Sequence, residues 1–129
     1  MQRIARNLVV VLSLLLTFFA GLLVGQQKYG TPKSVIHVVV VKWKPEATDA
    51  EKQRAIKGVR TMAATIPGIK NVWLKADRVQ PREFNTAFAM EFESRAAADA
   101  YVEHAAHKDW EKIYLPIRAE SRSLQVTNP

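Results

Sequence analysis

The chain contains no cysteine. That absence removes disulfides, thiolate nucleophiles, cysteine-ligated metals and lipid attachment to cysteine. It leaves the compartment open, because such a chain folds in reducing and oxidising surroundings alike. Glycine is scarce, at five residues. None sits in a phosphate-cradling G-x-x-x-x-G-K or a G-x-S-x-G nucleophile turn, so a P-loop and a serine-hydrolase elbow are both missing. Concentrated charge is lacking too. Net charge is +7, but Arg3, Arg6 and Lys28 belong to the N-terminal segment, leaving 16 basic against 12 acidic residues beyond it. A nucleic-acid binder concentrates basic charge on one face, so no nucleic-acid partner is expected.

Long apolar runs are absent with one exception. Leu8 to Gly25 reads LVVVLSLLLTFFAGLLVG, 18 residues without charge after Arg3 and Arg6. A helix of that length rises roughly 27 Å, near the lower limit for a membrane span. A cleavable signal ends in small residues, and the nearest candidate, Leu23, Val24, Gly25, is bulky at two places. Residues 1–25 are therefore expected to be a signal anchor, with a cleaved signal peptide as the alternative. Arg3, Arg6 and the amino terminus set against Lys28 and Lys33 favour a cytoplasmic N-terminus. The domain is then membrane-anchored outside the cytoplasm, or secreted or periplasmic if the segment is cut. Residues 26–34, QQKYGTPKS, have the composition of a polar linker.

The remaining residues suffice for one domain. Val35 to Trp43, VIHVVVVKW, is β-branched and stops before Pro45, as a strand does. Val35, His37, Val39, Val41 and Trp43 line one face, and Ile36, Val38 and Val40 the other. Both faces are apolar, whereas a sheet covered by helices on one side alternates with polar residues, so a second sheet is expected to cover it. Thr48 with Glu51 makes a capping box, and Ala55, Ile56, Val59, Met62, Ala63 and Ile66 recur at helical spacing until Pro67 and Gly68. Lys52, Arg54, Lys57 and Arg60 form its outer side, an ordinary solvated face. Residues 69–76 and 86–92 are the next strands. Ser94 caps a helix through Ala97, Ala98, Tyr101 and Val102, a short helix starts near His107, and Ser123 to Thr127 is the last strand. The order β-α-β-β-α-β predicts an α+β, ferredoxin-like fold, with a four-stranded antiparallel sheet and helices on one face.

Chemistry centres on three histidines. His104 and His107 are three apart, a spacing that could serve a metal with His37 or Glu103. Zinc sites use more distinctive patterns, and no metal or other cofactor is expected. Acid–base work is the sharper reading, since histidine titrates near neutrality and a tyrosine hydroxyl donates to a developing oxyanion. Tyr101 and His104 are expected on one helix face, with His107 at the helix end. His37, Val39, Val41, His104 and Trp110 are the candidate lining of an apolar ligand pocket, and Tyr101 and His107 the candidate catalytic pair. A core histidine with an amphipathic tyrosine is the structural alternative.

VIHVVVVKWKPEAT, IPGIKNVW, FES and YVEHAAH, in that order and spacing, resemble the stress-responsive dimeric α/β-barrel (Dabb) domain over residues 35–127. The resemblance implies a homodimer whose two sheets form a barrel, in keeping with the doubly apolar first strand. The family includes plant stress proteins without a settled activity and plant polyketide cyclases. In the cyclases a tyrosine and a histidine matching Tyr101 and His107 are the acid–base pair, beside a strand histidine matching His37. Two departures are visible: His104-Ala105-Ala106-His107 stands where many members have HPxH, and Val59 where the cyclases have a pocket tyrosine. The expected role is an exported, homodimeric stress-related or small-hydrophobic-ligand module, with a cofactor-independent polyketide-cyclase-like enzyme as the alternative. A haem- or metal-handling barrel is a third class that the spacing does not call for.

Overall fold

A computed structural model describes residues 2–25 and 30–129, in two units divided near Thr31. The first is one helix, α1 (Gln2–Gly25), long and apolar enough to cross a membrane by length and composition, with mean hydropathy 1.7 over its apolar window. Residues 26–29 of the expected linker lie outside the described residues, and 30–34 have no regular structure.

The second unit runs β1 (Val35–Trp43), α2 (Asp49–Thr65), β2 (Ile69–Trp73), β3 (Thr86–Phe92), α3 (Arg95–Ala100), a 3-10 turn (Tyr101–Glu103), α4 (Ala105–Tyr114), a second 3-10 turn (Leu115–Ile117) and β4 (Arg118–Val126). The strands form one sheet in the order β2-β3-β1-β4, each neighbouring pair antiparallel. This is the expected ferredoxin-like architecture. The capping box is present: the Glu51 amide bonds Thr48 Oγ1 at 3.3 Å and the Thr48 amide bonds Glu51 Oε2 at 2.8 Å. Between them they satisfy two of the first-turn donors that a helix leaves unpaired. Gly68 ends the α2–β2 connection at φ 83°, a conformation that side-chain-bearing residues rarely adopt.

One sheet face is packed and the other is not. Val35, His37, Val39, Val41 and Trp43 are buried against Ala55, Val59 and Met62 of α2 and Trp110 and Tyr114 of α4, which make one continuous core with Phe88, Met90 and Phe92. Ile36, Val38 and Val40 point away from the helices. They share that open face with Leu124 and Val126 across the β1–β4 register and with Ala89 and Trp73 across β3 and β2. Trp73, Leu124 and Val126 are 47%, 55% and 51% exposed, a contiguous apolar surface of the kind that marks an interface.

Four sequence-based boundaries shift. β2 ends at Trp73, not Ala76, because Leu74 leaves the ladder to pack against the core. α3 stops at Ala100, and the next helix begins at Ala105 instead of near His107. β4 starts at Arg118, five residues before Ser123, and pairs with β1 along nearly its whole length.

Candidate functional site

The break between α3 and α4 builds the site. Ser94 Oγ accepts from the Ala97 amide at 3.1 Å and starts α3, whose last turn tightens into the 3-10 turn that holds Tyr101. His104 then turns extended, at φ −68° and ψ 138°, and its Nδ1 accepts from the Ala106 amide at 3.1 Å. It caps the N-terminus of α4, as a short polar acceptor can. Tyr101 and His104 therefore do not share a helix face, and His107 sits in the first turn of α4, not at a helix end. The new helix direction turns His107 inward against Tyr101.

A ladder of rings results. His37 on β1 lies 5.7 Å from Tyr101 between centroids, Tyr101 4.7 Å from His107, and His107 5.8 Å from Trp110. Trp110 stacks on Tyr114 at 4.5 Å and 14°, and the Arg118 guanidinium stands 5.4 Å from the Tyr114 centroid. Trp110 is fixed by a 2.8 Å hydrogen bond from its indole N–H to the Ala55 carbonyl of α2.

The ladder lines a cavity of about 400 Å³ between α3, α4 and the sheet. His37, Val39, Tyr101, His107 and Trp110, all expected at a pocket, line it; Val41 is fully buried in the core and His104 is not part of the lining. Val59 is buried under α2 and also lies outside it. The sequence reading missed Tyr114, Glu111, Arg118, Ser121, Ser123 and Gln125, which complete the walls. Gln125, Ser123 and Ser121 pair with His37, Val39 and Val41 in the β1–β4 ladder, so extending β4 toward its start would have exposed the pattern. A larger groove of about 670 Å³ runs between α2 and α4 past Arg54, Lys57 and Asp109.

The electrostatics of these groups follow from their burial and their neighbours. Burial, with the charges of Glu111 and Tyr114, pushes the Tyr101 phenol up to about 12, so it stays protonated as a donor. Burial and then His107 lower the pKa of His37, which favours its neutral form. Tyr101 Oη and His37 Nε2 are 3.3 Å apart, and His37 Nδ1 is buried with no partner among the described residues. With its proton on Nε2, His37 donates to the phenol oxygen and leaves the phenol hydrogen free for a bound oxygen atom. His107 Nδ1 lies 3.2 Å from the Val102 carbonyl, its acceptor. The neutral His107 ring so held carries its lone pair on Nε2. Glu111 Oε2, 3.9 Å from His107 Nδ1, would offset the charge of a protonated ring. The arrangement sets two imidazoles and a protonated phenol side by side on the wall of one cavity. Among the described residues no group of three histidine or carboxylate side chains is placed to hold a metal ion.

Comparison with known proteins places the chain among relatives of mixed chemistry. It is 29% identical to olivetolic acid cyclase from Cannabis sativa over 84 residues, covering 63% of this chain and 83% of the cyclase. A Dabb family protein with a ferredoxin-like fold from Mesorhizobium loti superposes with a TM-score of 0.63 at 19% identity, over 74% of this chain and 97% of that one. A dimeric ferredoxin-like protein of unknown function from Thermobifida fusca does so with a TM-score of 0.60 at 20% identity, over 78% and 95%. Residues 35–127 match the family described as the Stress responsive A/B Barrel Domain, Dabb, and the chain belongs to that family.

Proposed function

We propose that this chain is an exported, membrane-tethered homodimer whose barrel domain binds a small, largely apolar molecule in a stress-related role. The observation that carries the ligand reading is the cavity of about 400 Å³ in which His37, Tyr101 and His107 converge beside an apolar and aromatic wall of Val39, Phe88, Met90 and Trp110, with a polar row from β4 opposite. Sites for small molecules have that make-up, a concave apolar wall with a few placed polar groups. Pairing of two copies is supported by the uncovered face of Ile36, Val38, Val40, Leu124 and Val126 and by the dimeric relative from Thermobifida fusca. The tether reading rests on α1, which is long and apolar enough to span a bilayer. Native mass spectrometry of residues 33–129 tests both main elements. A doubled mass that retains a small apolar ligand from cell extract is expected; a monomer overturns the dimer, and a dimer that stays empty overturns the ligand.

The juxtaposition of Tyr101, His37 and His107 favours a second, sharper reading, a cofactor-independent enzyme resembling the cyclase. His107 Nε2 removes a proton from the carbon beside a ligand carbonyl, the C–H electrons move into an enolate, and Tyr101 donates its hydrogen bond to the enolate oxygen. Exchange of the α-hydrogens of an aryl-alkyl ketone for deuterium, followed by NMR, reads that step. Catalysed exchange that disappears in Tyr101→Phe and His107→Gln supports it; exchange at the rate of buffer alone overturns it for ketones.

A further inference from the structure

The far end of the cavity is unlike the end that holds the histidines. Arg118 is its one Lys or Arg lining residue. The second 3-10 turn delivers it: Lys44 N–H bonds the Ile117 carbonyl at 3.0 Å, so Arg118 enters β4 opposite Trp43 at the irregularity in the ladder. Its guanidinium stands against the Tyr114 ring, and one NH donates to Ser121 Oγ at 2.9 Å. Among the described residues no carboxylate forms an ion pair with it. The two carboxylates of the lining lie elsewhere: Glu111 faces His107 Nδ1 at 3.9 Å, and Asp99 is a solvent-exposed residue of α3. Beside Arg118 the Tyr114 hydroxyl is buried, in a residue only 3% exposed; Ser121 and Arg118 stand next to it, but neither is in full hydrogen-bonding geometry with it. Ser121, Ser123 and Gln125 continue the polar row along β4.

A guanidinium with donors to spare, a buried phenol and a serine hydroxyl stand together, and among the described residues no carboxylate accepts from them. A planar anion supplies that acceptor, because a guanidinium presents a fork of N–H groups that matches both carboxylate oxygens. A buried hydroxyl in poor hydrogen-bonding geometry gains from a bound acceptor. The aromatic surface of Trp110 and Tyr114 lies between this end and Tyr101. Along the sheet, His37 and Ser121 are four residue steps of β1 apart through the pairing of Val41 with Ser121, roughly 13 Å of strand.

We infer that Arg118, Tyr114 and Ser121 form a carboxylate-binding subsite, and that the cavity takes an elongated apolar or aromatic acid with its carboxylate there and its opposite end beside Tyr101 and His107. This deepens the small-ligand reading above and rests on it. The specificity follows from position: Arg118 is the one Lys or Arg of the lining and stands at one end, so it fixes which way round an anionic ligand enters.

The test uses matched pairs that differ only at the anion, 4-benzoylbutyrate against 4-benzoylbutanamide and the homologues one and two carbons longer. Binding to the full-length chain in zwitterionic lipid nanodiscs is measured by calorimetry. At least tenfold tighter binding of the acid is expected in one or more pairs. Arg118→Gln should abolish that preference while amide affinity stays within twofold, and Tyr114→Phe should weaken the acid severalfold. Arg118→Lys keeps the charge and should keep part of the preference; if it loses as much as Arg118→Gln with equal loss of amide binding, Arg118 acts only by packing on Tyr114 and the subsite is overturned. Equal binding of acid and amide to the wild type overturns the subsite and leaves the pocket standing. Failure of every pair to bind overturns both.

Discussion

The Tyr101 hydroxyl meets His37 Nε2 at 3.3 Å, joining a 3-10 turn to a strand 64 residues earlier in the chain. Tyr101→Phe removes one polar partner without changing ring volume. It should cost about 1 kcal/mol of stability and, if the site transfers protons, roughly a hundredfold in rate. Chemical denaturation and ketone exchange on the same preparation separate the two effects. A large stability loss with unchanged exchange would leave Tyr101 a purely structural residue.

Alkaline titration should show Tyr101 as a late-ionising phenol. Its folded value of about 12 lies above that of the unfolded chain, about 10. The stabilisation is therefore complete below pH 10 and is lost as pH rises from about 10 to 12. The two-unit shift corresponds to roughly 2 to 3 kcal/mol. Absorbance at 295 nm during the titration, compared with Tyr101→Phe, identifies the residue.

Acid destabilisation should carry a contribution from His37. Burial, followed by the nearby His107, lowers its folded pKa below the ordinary histidine value. The unfolded chain then binds a proton that the folded chain refuses. Stability from this group is full above about 6.5, falls as pH drops toward the depressed folded value, and levels off below it. Tm measured from pH 8 to 4.5 should fall less steeply in His37→Gln than in the parent.

Gly58 leaves room for an indole. A Cβ there would stand 2.8 Å from Trp110 Cδ1 and 3.2 Å from Nε1, so Gly58→Ala must push Trp110 off the Ala55 carbonyl that it bonds. The helix gains about 1 kcal/mol from alanine, while overpacking costs about 1 to 3 and the strained hydrogen bond about 1. A net loss of about 1 to 3 kcal/mol is expected, with a changed near-ultraviolet circular dichroism from the displaced Trp110. An unchanged spectrum and a gain in Tm would show that the indole yields freely.

The uncovered sheet face gives a prediction about assembly. Leu124 is 55% exposed in a single copy, so Leu124→Lys removes little packing from the monomer but buries a charge if that face pairs. Sedimentation velocity should change from dimer to monomer while the far-ultraviolet spectrum is retained. Persistence of a dimer would place the interface elsewhere.

Local signals were legible wherever one element satisfied its own rule. Thr48 and Glu51 announced the start of α2, and the two apolar faces of Val35–Trp43 announced a strand with one face left uncovered by its own chain. A break between two helices was expected, but its place was not legible: α3 ends at Ala100 instead of Val102 and α4 starts at Ala105 instead of near His107, because the alanine-rich sequence suits a helix throughout and tertiary packing of Tyr101 decides where it stops. The first half of β4 was hidden for another reason. Arg118 to Arg122 shows no apolar alternation, since its helix-facing side lines a polar end of the cavity and not the core. Tyr101, His107 and His37 were therefore found as residue types, while the cation at the other end was missed.

The interruption at Tyr101–His104 also sets an angular phase. On an unbroken helix, residues six apart are turned about 240° from one another, which would send one of Tyr101 and His107 to solvent. The reset at His104 cancels that rotation, and the count of residues inside the turn becomes as stringent a requirement as the two rings themselves. Composition there is free to drift, as Ala105 and Ala106 illustrate, but an insertion or deletion of a single residue would dephase the pair while leaving every side chain of the site in the sequence.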